Sequence, residues 1–256
     1  MQTHLLFNMQ MGTQKPESIR NTETKCPFCE VESLRNIIDQ KGEIIWLENK
    51  YPVLSDAYQT VLIETSECFS ELSNYESHHL YTLLSFGLEA WESLLQQKKY
   101  ASVLFFKNHG PYSGGTLRHP HMQIIGLKKA DYREHLAPYH FEGITIAEED
   151  GIVLNLSTKP KMGFYEWNIV MSDRSKEKEL AHYIQFTVRY LLNGFNKKCN
   201  SYNLFFYQLD GVIAAKIIPR FATSPLFVGY SLPQVANNIG EIAEDMKMIF
   251  LSKDKR

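Results

Sequence analysis

The sequence has almost no net charge, few cysteines and no long apolar run, and each of these features argues against a class of protein. Its 27 basic and 29 acidic side chains give a net charge of -2 at pH 7. A large basic surface for nucleic acid is therefore not expected, although a local phosphate pocket is compatible with this charge. No apolar stretch approaches the ~20 residues of a membrane helix, and the first residues lack a secretory signal. We expect a cytoplasmic protein with no nucleic-acid or membrane partner.

The four cysteines are too few for a disulfide framework in a cytoplasmic chain of 256 residues. Two of them form the motif Cys26-Pro-Phe-Cys29, which is typical of either a metal site or a redox pair. A redox pair would follow a strand and open a helix, whereas the polar segment SIRNTETK precedes this motif. The context favours a metal site and leaves the redox pair as the alternative. Cys199 is expected to be an ordinary, partly buried thiol.

The chain is long enough for one substantial core or for two small cores fused together. Alternating and β-branched apolar residues predict strands, and the spacing of leucines from Leu80 to Leu88 predicts an amphipathic helix. The predicted elements are strands 42–52 and 60–65, helix 74–100 and strands 101–110 and 119–127, followed by strands 151–157 and 164–172, helix 175–196, strands 202–211 and 212–220, and a closing helix 233–251. The same order of elements thus occurs twice, which indicates an internal duplication with repeats 1–145 and 146–256.

Short segments of the two predicted repeats resemble each other. LFFKNHG in the first repeat resembles LFFYQLDG in the second, and QIIGL resembles KIIPR. The first repeat carries His119, His121 and Gln123 at this point, whereas the second repeat has VIAAK and no histidine. The first repeat is therefore expected to hold the chemistry, and the second to have lost it.

The segment HPHMQIIGL, His119–Leu127, places polar side chains at every second position of an apolar strand. Alternate residues of a strand point to one face, so His119, His121 and Gln123 share a face if the strand is regular. In a catalytic interpretation one imidazole is a nucleophile and Gln123 donates hydrogen bonds to a phosphate oxygen. The alternatives are that both histidines bind a metal or that this face is turned to water. Neither alternative explains the glutamine.

These motifs resemble the histidine triad superfamily. HPHMQII is similar to the His-x-His-x-Gln signature of the branch that contains galactose-1-phosphate uridylyltransferase and the nucleoside tetraphosphate phosphorylases, and CPFC, VLIETSEC, FKNHG and PLFVGYSL resemble further segments of that branch. The resemblance implies a duplicated, HIT-like α+β fold, in which two strand–strand–helix–strand–strand repeats form an antiparallel sheet or half-barrel with flanking helices. It also implies a nucleotidyltransferase that moves a nucleoside monophosphate from a nucleotide sugar or related donor to a phosphate-bearing acceptor, through a covalent nucleotidyl-histidine.

Three alternatives to this nucleotidyltransferase stay open. The first is a dinucleoside polyphosphate phosphorylase or hydrolase that forms the same intermediate. The second is a zinc-stabilised nucleotide-binding protein without turnover, and the third is a redox protein built on the CPFC motif. The oligomeric state is also open, and a homodimer is one option. The nucleobase, the sugar and the acceptor do not follow from the sequence.

Matching the family residue by residue implies a set of site residues. His121 is the nucleophile, and Gln123 holds the phosphoryl oxygens. Phosphate contacts are implied for Asn108, Gly114, Gly115 and Thr116. Glycines in such a loop let backbone N–H groups approach an anion without a Cβ in the way. Asn49 either contacts the ribose, as in the family, or is a plain turn residue.

The family also implies a structural Zn²⁺ site. Cys26, Cys29 and His119 match three of its four ligands, and Cys68 stands where the family has a histidine. Three thiolates and one imidazole form a closed tetrahedral set, which is typical of a structural site. The pair His78–His79 offers spare ligands, but it lies on the predicted helix and is expected to face solvent.

Several charged residues are candidates for contacts with phosphate. Lys107 or Arg118 could stabilise the transition state. In the N-terminal arm, Lys15 and Arg20 either hold the second substrate's phosphate, as in the family, or are solvated. In the second repeat AAKIIP replaces an HxHxYP-like metal-binding segment of the uridylyltransferases, so a second metal site is not expected. Lys216 in this segment either contributes to a phosphate site or is exposed.

Overall fold

The computed structural model describes residues 4–196 and 198–253, and the chain divides into two compact units between His135 and Leu136. Each unit is built from antiparallel strands, with a long helix between its third and fourth strands. Among the described residues, every helix is too short or too polar to cross a lipid bilayer.

The first unit contains five strands, and the strand with the two-histidine motif lies inside its sheet. The strands are β1 (Ile37–Lys41), β2 (Ile44–Glu48), β3 (Ala57–Ile63), β4 (Ser102–His109) and β5 (His121–Leu127). The helices are α1 (Met9–Thr13) and α2 (Ser77–Gln96), with short 3-10 turns at Val31–Ser33, Leu72–Asn74 and Tyr132–His135. The strand order is β1-β2-β3-β5-β4, and all neighbours are antiparallel. Because β3 and β4 flank β5, its backbone is paired on both sides.

The second unit also contains five antiparallel strands. They are β6 (Gly143–Glu149), β7 (Ile152–Ser157), β8 (Trp167–Met171), β9 (Tyr202–Leu209) and β10 (Val212–Pro219). The helices are α3 (Glu177–Tyr190), α4 (Pro225–Tyr230) and α5 (Ile239–Lys253), with 3-10 turns at Pro138–Phe141 and Arg174–Lys176 and a π-helical turn at Leu191–Phe195. The strand order is β6-β7-β8-β10-β9.

The two units have the same internal strand order, which confirms the duplicated α+β fold. Numbered from its first strand, each sheet reads 1-2-3-5-4, with the long helix after the third strand. Each unit has one strand more than the sequence predicted, because β1 and β6 precede the predicted pair. All five residues of β1 are exposed, so this strand lacks the alternation of apolar and polar side chains on which the prediction rests.

The helices differ from the prediction mainly near the C-terminus. The closing helix, predicted for 233–251, begins at Ile239, and the short helix α4 precedes it. The side-chain oxygen of Ser224 caps α4 by accepting a hydrogen bond from the backbone of Leu226, with a proline at the first helical position. Ser231 ends α4 in the left-handed conformation, at φ 54°.

Helix α2 covers one face of the first unit's sheet and leaves the opposite face to β5's polar residues. The absence of a side chain at Gly87 lets the ring of Phe105 approach the helix, since a Cβ there would lie 2.7 Å from that ring. Phe105 pairs with Ile124 of β5, so these two residues share the helix-covered face. By alternation, His121 and Gln123 point to the other face.

Gly126 of β5 lies against the ring of Tyr100, and we expect any side chain at this position to destabilise the protein. A Cβ at position 126 would lie 2.6 Å from the ring. Gly126→Ala should lower the free energy of unfolding by about 1–3 kcal/mol, the usual cost of overpacking, as measured by urea denaturation. Gly240→Ala is the control, because nothing lies within 4 Å of its Cβ position and alanine is the better helix former. Equal stability of the two variants would contradict this packing.

Candidate active site

His121 and Gln123 form part of the wall of a cavity of about 520 Å³ in the first unit. The strand register determines their positions, because His121 pairs with Ile63 of β3 and Gln123 pairs with Val61. Further walls come from the N-terminal arm, the CPFC motif, the end of β2 and the glycine-rich loop before β5. Apolar side chains such as Leu47 line it together with many polar and charged ones such as Lys15 and Glu48. A cavity of this volume is typical of sites for small organic ligands.

The imidazole of His121 is held in one tautomer. Its Nδ1 lies 2.8 Å from the backbone carbonyl oxygen of His119. A carbonyl oxygen only accepts hydrogen bonds, so Nδ1 carries the proton and Nε2 keeps its lone pair. Burial and, to a lesser degree, the positive charge of Lys107 lower the pKa of His121 to about 4. The ring is therefore neutral near pH 7, which is the form that acts as a nucleophile.

The loop residues expected to contact phosphate border the same cavity. Asn108, Gly114, Gly115 and Thr116 all line it. Gly114 has φ 84°, a left-handed conformation that favours glycine. A Cβ on Gly115 would lie 3.2 Å from the Cβ of Asn108, so this glycine also permits a close approach of the loop to β4.

The N-terminal arm is tied to this loop and brings a cation to the cavity. The backbone N–H of Ser18 donates to the carbonyl of Thr116 at 2.8 Å, and its hydroxyl accepts from the backbone N–H of Arg118 at 3.1 Å. Lys15 lines the cavity, and burial lowers the pKa of its ammonium group. Arg20, the other arm cation singled out in the sequence, is exposed.

Asn49 combines features of both of its interpretations. Its side-chain oxygen accepts a hydrogen bond from the backbone N–H of Tyr51 at 2.8 Å, as in a turn. The residue also lines the cavity. Its amide nitrogen is thus the group that could meet a ligand.

Phe28, which no sequence motif had singled out, contacts both site histidines. Its ring centroid lies 5.4 Å from that of His121 and 5.8 Å from that of His119, in edge-on geometry. Phe28 also lines the cavity. Its position between Cys26 and Cys29 was the available signal, because a metal that holds the two cysteines also fixes the residue between them.

Four of the predicted metal ligands come together in one cluster. The ligand atoms of Cys26, Cys29, Cys68 and His119 all lie within 4.8 Å of one another. His119 Nε2 lies 2.8 Å from the carbonyl oxygen of Thr65 and so donates to it, which leaves the Nδ1 lone pair 3.5 Å from two of the sulfurs. Ligand atoms in a tetrahedral Cys₃His zinc site are about 3.5–3.8 Å apart. The two distances from His119 to sulfur match this spacing, and the cluster could hold a metal ion.

The three thiols of the cluster differ in their pKa values. Burial and the neighbouring sulfurs raise the pKa of Cys29 to about 12, and burial raises that of Cys68. Burial also raises the pKa of Cys26. The hydrogen bond with His119 and backbone N–H donors lower it by more, so that the pKa of Cys26 falls to about 6. Three thiolates at such distances repel one another, and a coordinated divalent metal is what deprotonates them together.

The spare histidines on α2 lie outside this cluster. His78 is exposed, and Nδ1 of His79 lies 3.6 Å from a carboxylate oxygen of Glu43. Within the described residues, the cluster of three cysteines and His119 includes neither of them.

Lys107 is part of the fold and not of the cavity wall. It forms a buried ion pair with Glu64, and the two side chains are 1% and 0% exposed. The other carboxylate oxygen of Glu64 accepts from the hydroxyl of Tyr75 at 3.0 Å, and burial raises the pKa of that tyrosine. The backbone N–H of Glu64 donates to the carbonyl of Pro120 at 3.2 Å. The ion pair thus supports the segment between the two site histidines.

Lys216 in the second unit is also buried, which corrects the expectation of an exposed or phosphate-binding lysine. Its ammonium group lies 2.8 Å from a carboxylate oxygen of Glu166 and 2.7 Å from the carbonyl oxygen of His140. Both side chains of the ion pair are at most 1% exposed. Cys199 is buried, as expected for an ordinary thiol, and burial raises its pKa.

We expect the Lys107 ion pair to be required for stability. Lys107→Met leaves the carboxylate of Glu64 buried without its partner, a change that costs about 3–5 kcal/mol. Adding Glu64→Gln should recover much of this loss, because the amide is neutral and still accepts from Tyr75. Urea denaturation of the single and double variants measures both effects. A double variant no more stable than Lys107→Met would contradict the explanation.

Comparison of the sequence with family models gives two matches that together span nearly the whole chain. The N-terminal domain of unknown function DUF4931 matches residues 7–130, and the C-terminal domain of the same family matches residues 133–251. No curated protein matches the sequence.

Solved structures show the same fold. An ADP-glucose phosphorylase from Arabidopsis thaliana, with bound ADP-glucose, is 14% identical at a TM-score of 0.73 and covers 91% of this chain and 90% of its own. A uridylyltransferase is 18% identical at a TM-score of 0.70 over 88% of this chain and 91% of its own. A DUF4931 family protein from Bacillus cereus ATCC 10987 is 45% identical at a TM-score of 0.77, over 84% of this chain and 99% of its own. With this identity and both domain models matched, the chain belongs to the DUF4931 family.

Proposed function

We propose that this protein is a nucleotidyltransferase that forms a covalent nucleotidyl-histidine on His121. It would move a nucleoside monophosphate from a nucleotide sugar or related donor to a phosphate-bearing acceptor. The observation that carries the proposal is the fixed tautomer of His121, which keeps the Nε2 lone pair free on a residue that lines the cavity. Gln123 lies on the same wall as an amide donor. The shared fold with a uridylyltransferase and an ADP-glucose phosphorylase supports this choice.

The first step is an attack of His121 Nε2 on the α-phosphorus of the donor. A P–N bond forms, and the bond from that phosphorus to the bridging oxygen breaks. The sugar phosphate leaves with the electron pair of the broken bond. Because Nδ1 already donates to the carbonyl of His119, the ring needs no separate base, and the carbonyl stabilises the positive charge that develops on the imidazole.

The second step regenerates the enzyme. An oxygen of the acceptor phosphate attacks the same phosphorus, the P–N bond breaks, and its electron pair returns to Nε2. In both steps negative charge on the phosphoryl oxygens needs donors. The amide of Gln123, the backbone N–H groups of the glycine-rich loop and the ammonium group of Lys15 are groups in the cavity that can donate to them.

The acceptor decides between this transferase and its relatives. A sugar phosphate acceptor gives a transferase, inorganic phosphate a phosphorylase and water a hydrolase, all through the same intermediate. The donor is open in the same way, so dinucleoside polyphosphates should be tested as donors beside nucleotide sugars.

We assign a structural role to the Cys₃His cluster. A zinc ion there would have protein ligands at all four positions, and it would fix the CPFC motif to the start of β5. Cys26, Cys29, Cys68 and His119 would hold it without contact with the reacting phosphate. Reduced thiols of this kind persist in the cytoplasm, where we place the protein. The N-terminal repeat, residues 1–145, would hold the whole catalytic apparatus, and residues 146–256 would be a degenerate copy.

The proposed intermediate predicts a change in the mass of the intact protein. Brief incubation with UDP-glucose, ADP-glucose and diadenosine tetraphosphate should add one nucleoside monophosphate to the wild-type chain, and acid should remove it, because phosphoramidates are acid-labile. The mass of the adduct identifies the base.

His121→Ala should form no adduct, whereas the matched control His78→Ala, at an exposed position, should form it normally. Donor consumption that is equal in wild type and His121→Ala would contradict the proposed nucleophile. Acceptor tests with phosphate, sugar phosphates and water then separate the three reaction types.

The proposed metal centre predicts one equivalent of zinc in the purified protein, as measured by inorganic mass spectrometry. Cys68→Ser removes a direct ligand, so it should weaken zinc binding in a chelator competition by more than the roughly 10–100-fold typical of outer-shell changes. Cys199→Ser is the control, because this cysteine lies outside the cluster. Equal zinc retention by the two variants would argue against Cys68 as a ligand.

A further inference from the structure

The Cys₃His cluster has an excess of negative charge when it holds a zinc ion. Three thiolates carry one negative charge more than a divalent zinc ion neutralises, and the imidazole is neutral. His119 is 0% exposed, and Cys26 and Cys68 are partly buried. Unbalanced charge in such surroundings is unfavourable, so a loaded centre of this composition calls for a cation nearby.

Arg118 lies beside the cluster both along the chain and in space. It directly precedes His119, and its guanidinium group stacks on the ring of Phe69 at 3.9 Å from the centroid. Phe69 directly follows Cys68. The guanidinium group therefore lies next to the residue that follows a proposed ligand, and its charge acts on the side chain of Cys68.

The guanidinium of Arg118 has hydrogen-bonding capacity to spare. Its Nε is buried and bonds to no acceptor in the described part of the chain. A buried donor without an acceptor is costly, and a thiolate sulfur accepts hydrogen bonds from such donors. Phe69 itself is 78% exposed, so it adds little to the core. Its ring instead holds the guanidinium group of Arg118.

We propose that Arg118, held on Phe69, is an outer-shell residue of the metal centre that neutralises the excess charge of its three thiolates and so strengthens zinc binding. This role goes beyond the transfer reaction and rests on the proposed metal centre. Arginine suits it, because its guanidinium stays charged and stacks on an aromatic face, which an ammonium group does less well.

The identity of the fourth ligand explains why the charge is needed. A histidine in place of Cys68 would make the loaded set neutral, and a guanidinium beside it would then have little to neutralise. Arg118 and Cys68 should therefore be energetically coupled, which a double-mutant cycle measures.

The test compares the zinc affinity of the 256-residue chain and of its Arg118 variants, measured by chelator competition. Arg118→Met keeps the length of the side chain and removes its charge, and it should weaken zinc binding roughly 10–100-fold, as other outer-shell changes do. Arg118→Lys keeps the positive charge and should lose less zinc affinity than Arg118→Met. The absorption spectrum of the Co²⁺-loaded forms should show the same ligand set in all three proteins, since no direct ligand changes.

The double-mutant cycle separates charge from structure. In a Cys68→His background, the further change Arg118→Met should weaken zinc binding much less than it does in the wild type. An equal effect in both backgrounds, or equal losses in Arg118→Lys and Arg118→Met, would overturn the charge argument. If Arg118→Met does not fold, Phe69→Leu at the exposed platform replaces it and should also weaken binding.

Two negative results have different meanings. A wild-type protein that binds no zinc would reject the metal centre itself and this inference with it. A wild-type protein that binds zinc no more tightly than Arg118→Met would reject only the role of Arg118.

Discussion

The site depends on one hydrogen bond, from Nδ1–H of His121 to the backbone carbonyl of His119. Two neighbouring histidines thereby take opposite tasks, although only Pro120 separates them. The ring of His119 turns to the cysteines, its carbonyl turns to His121, and the ring of His121 turns to the cavity. Strand β5 begins at His121, and the fixed φ of the proline lets the chain change direction there. A metal ion that held the ring of His119 would therefore also hold its carbonyl, which sets the tautomer of His121.

Further contacts keep this short segment rigid. The carbonyl of Thr65 accepts from the ring of His119, and the backbone N–H of Glu64 donates to the carbonyl of Pro120. Glu64 is itself held by the buried ion pair with Lys107. Buried polar groups of this kind are costly unless every partner is in place, so the network allows few alternative conformations. Such rigidity suits the role proposed for His121, because a nucleophile must meet a phosphorus atom at a set distance and angle.

Sequence patterns predicted the parts of this site that depend on local spacing. Strand alternation placed His121 and Gln123 on one face, and the four residues of the Cys₃His cluster were identified together. Alternation does not extend to His119, because the strand begins two residues after it. The ion-pair partners of Lys107 and Lys216 were missed, since Glu64 lies 43 residues and Glu166 50 residues away along the chain. Tertiary packing alone brings such partners together, and no periodicity in the sequence reports it.

The second unit shows what the same strand arrangement does without the motif. By the similarity of QIIGL and KIIPR, Lys216 occupies the place that Gln123 has in the first unit. Gln123 faces a cavity, whereas the ammonium group of Lys216 lies against Glu166 and the carbonyl of His140. A buried lysine needs such partners. Restoring a glutamine at position 216 alone would leave Glu166 buried and unpaired. The chemistry proposed for the first unit therefore depends on the segment from His119 to Gln123 together with its supporting contacts, and we expect that one substitution cannot transfer it to the second.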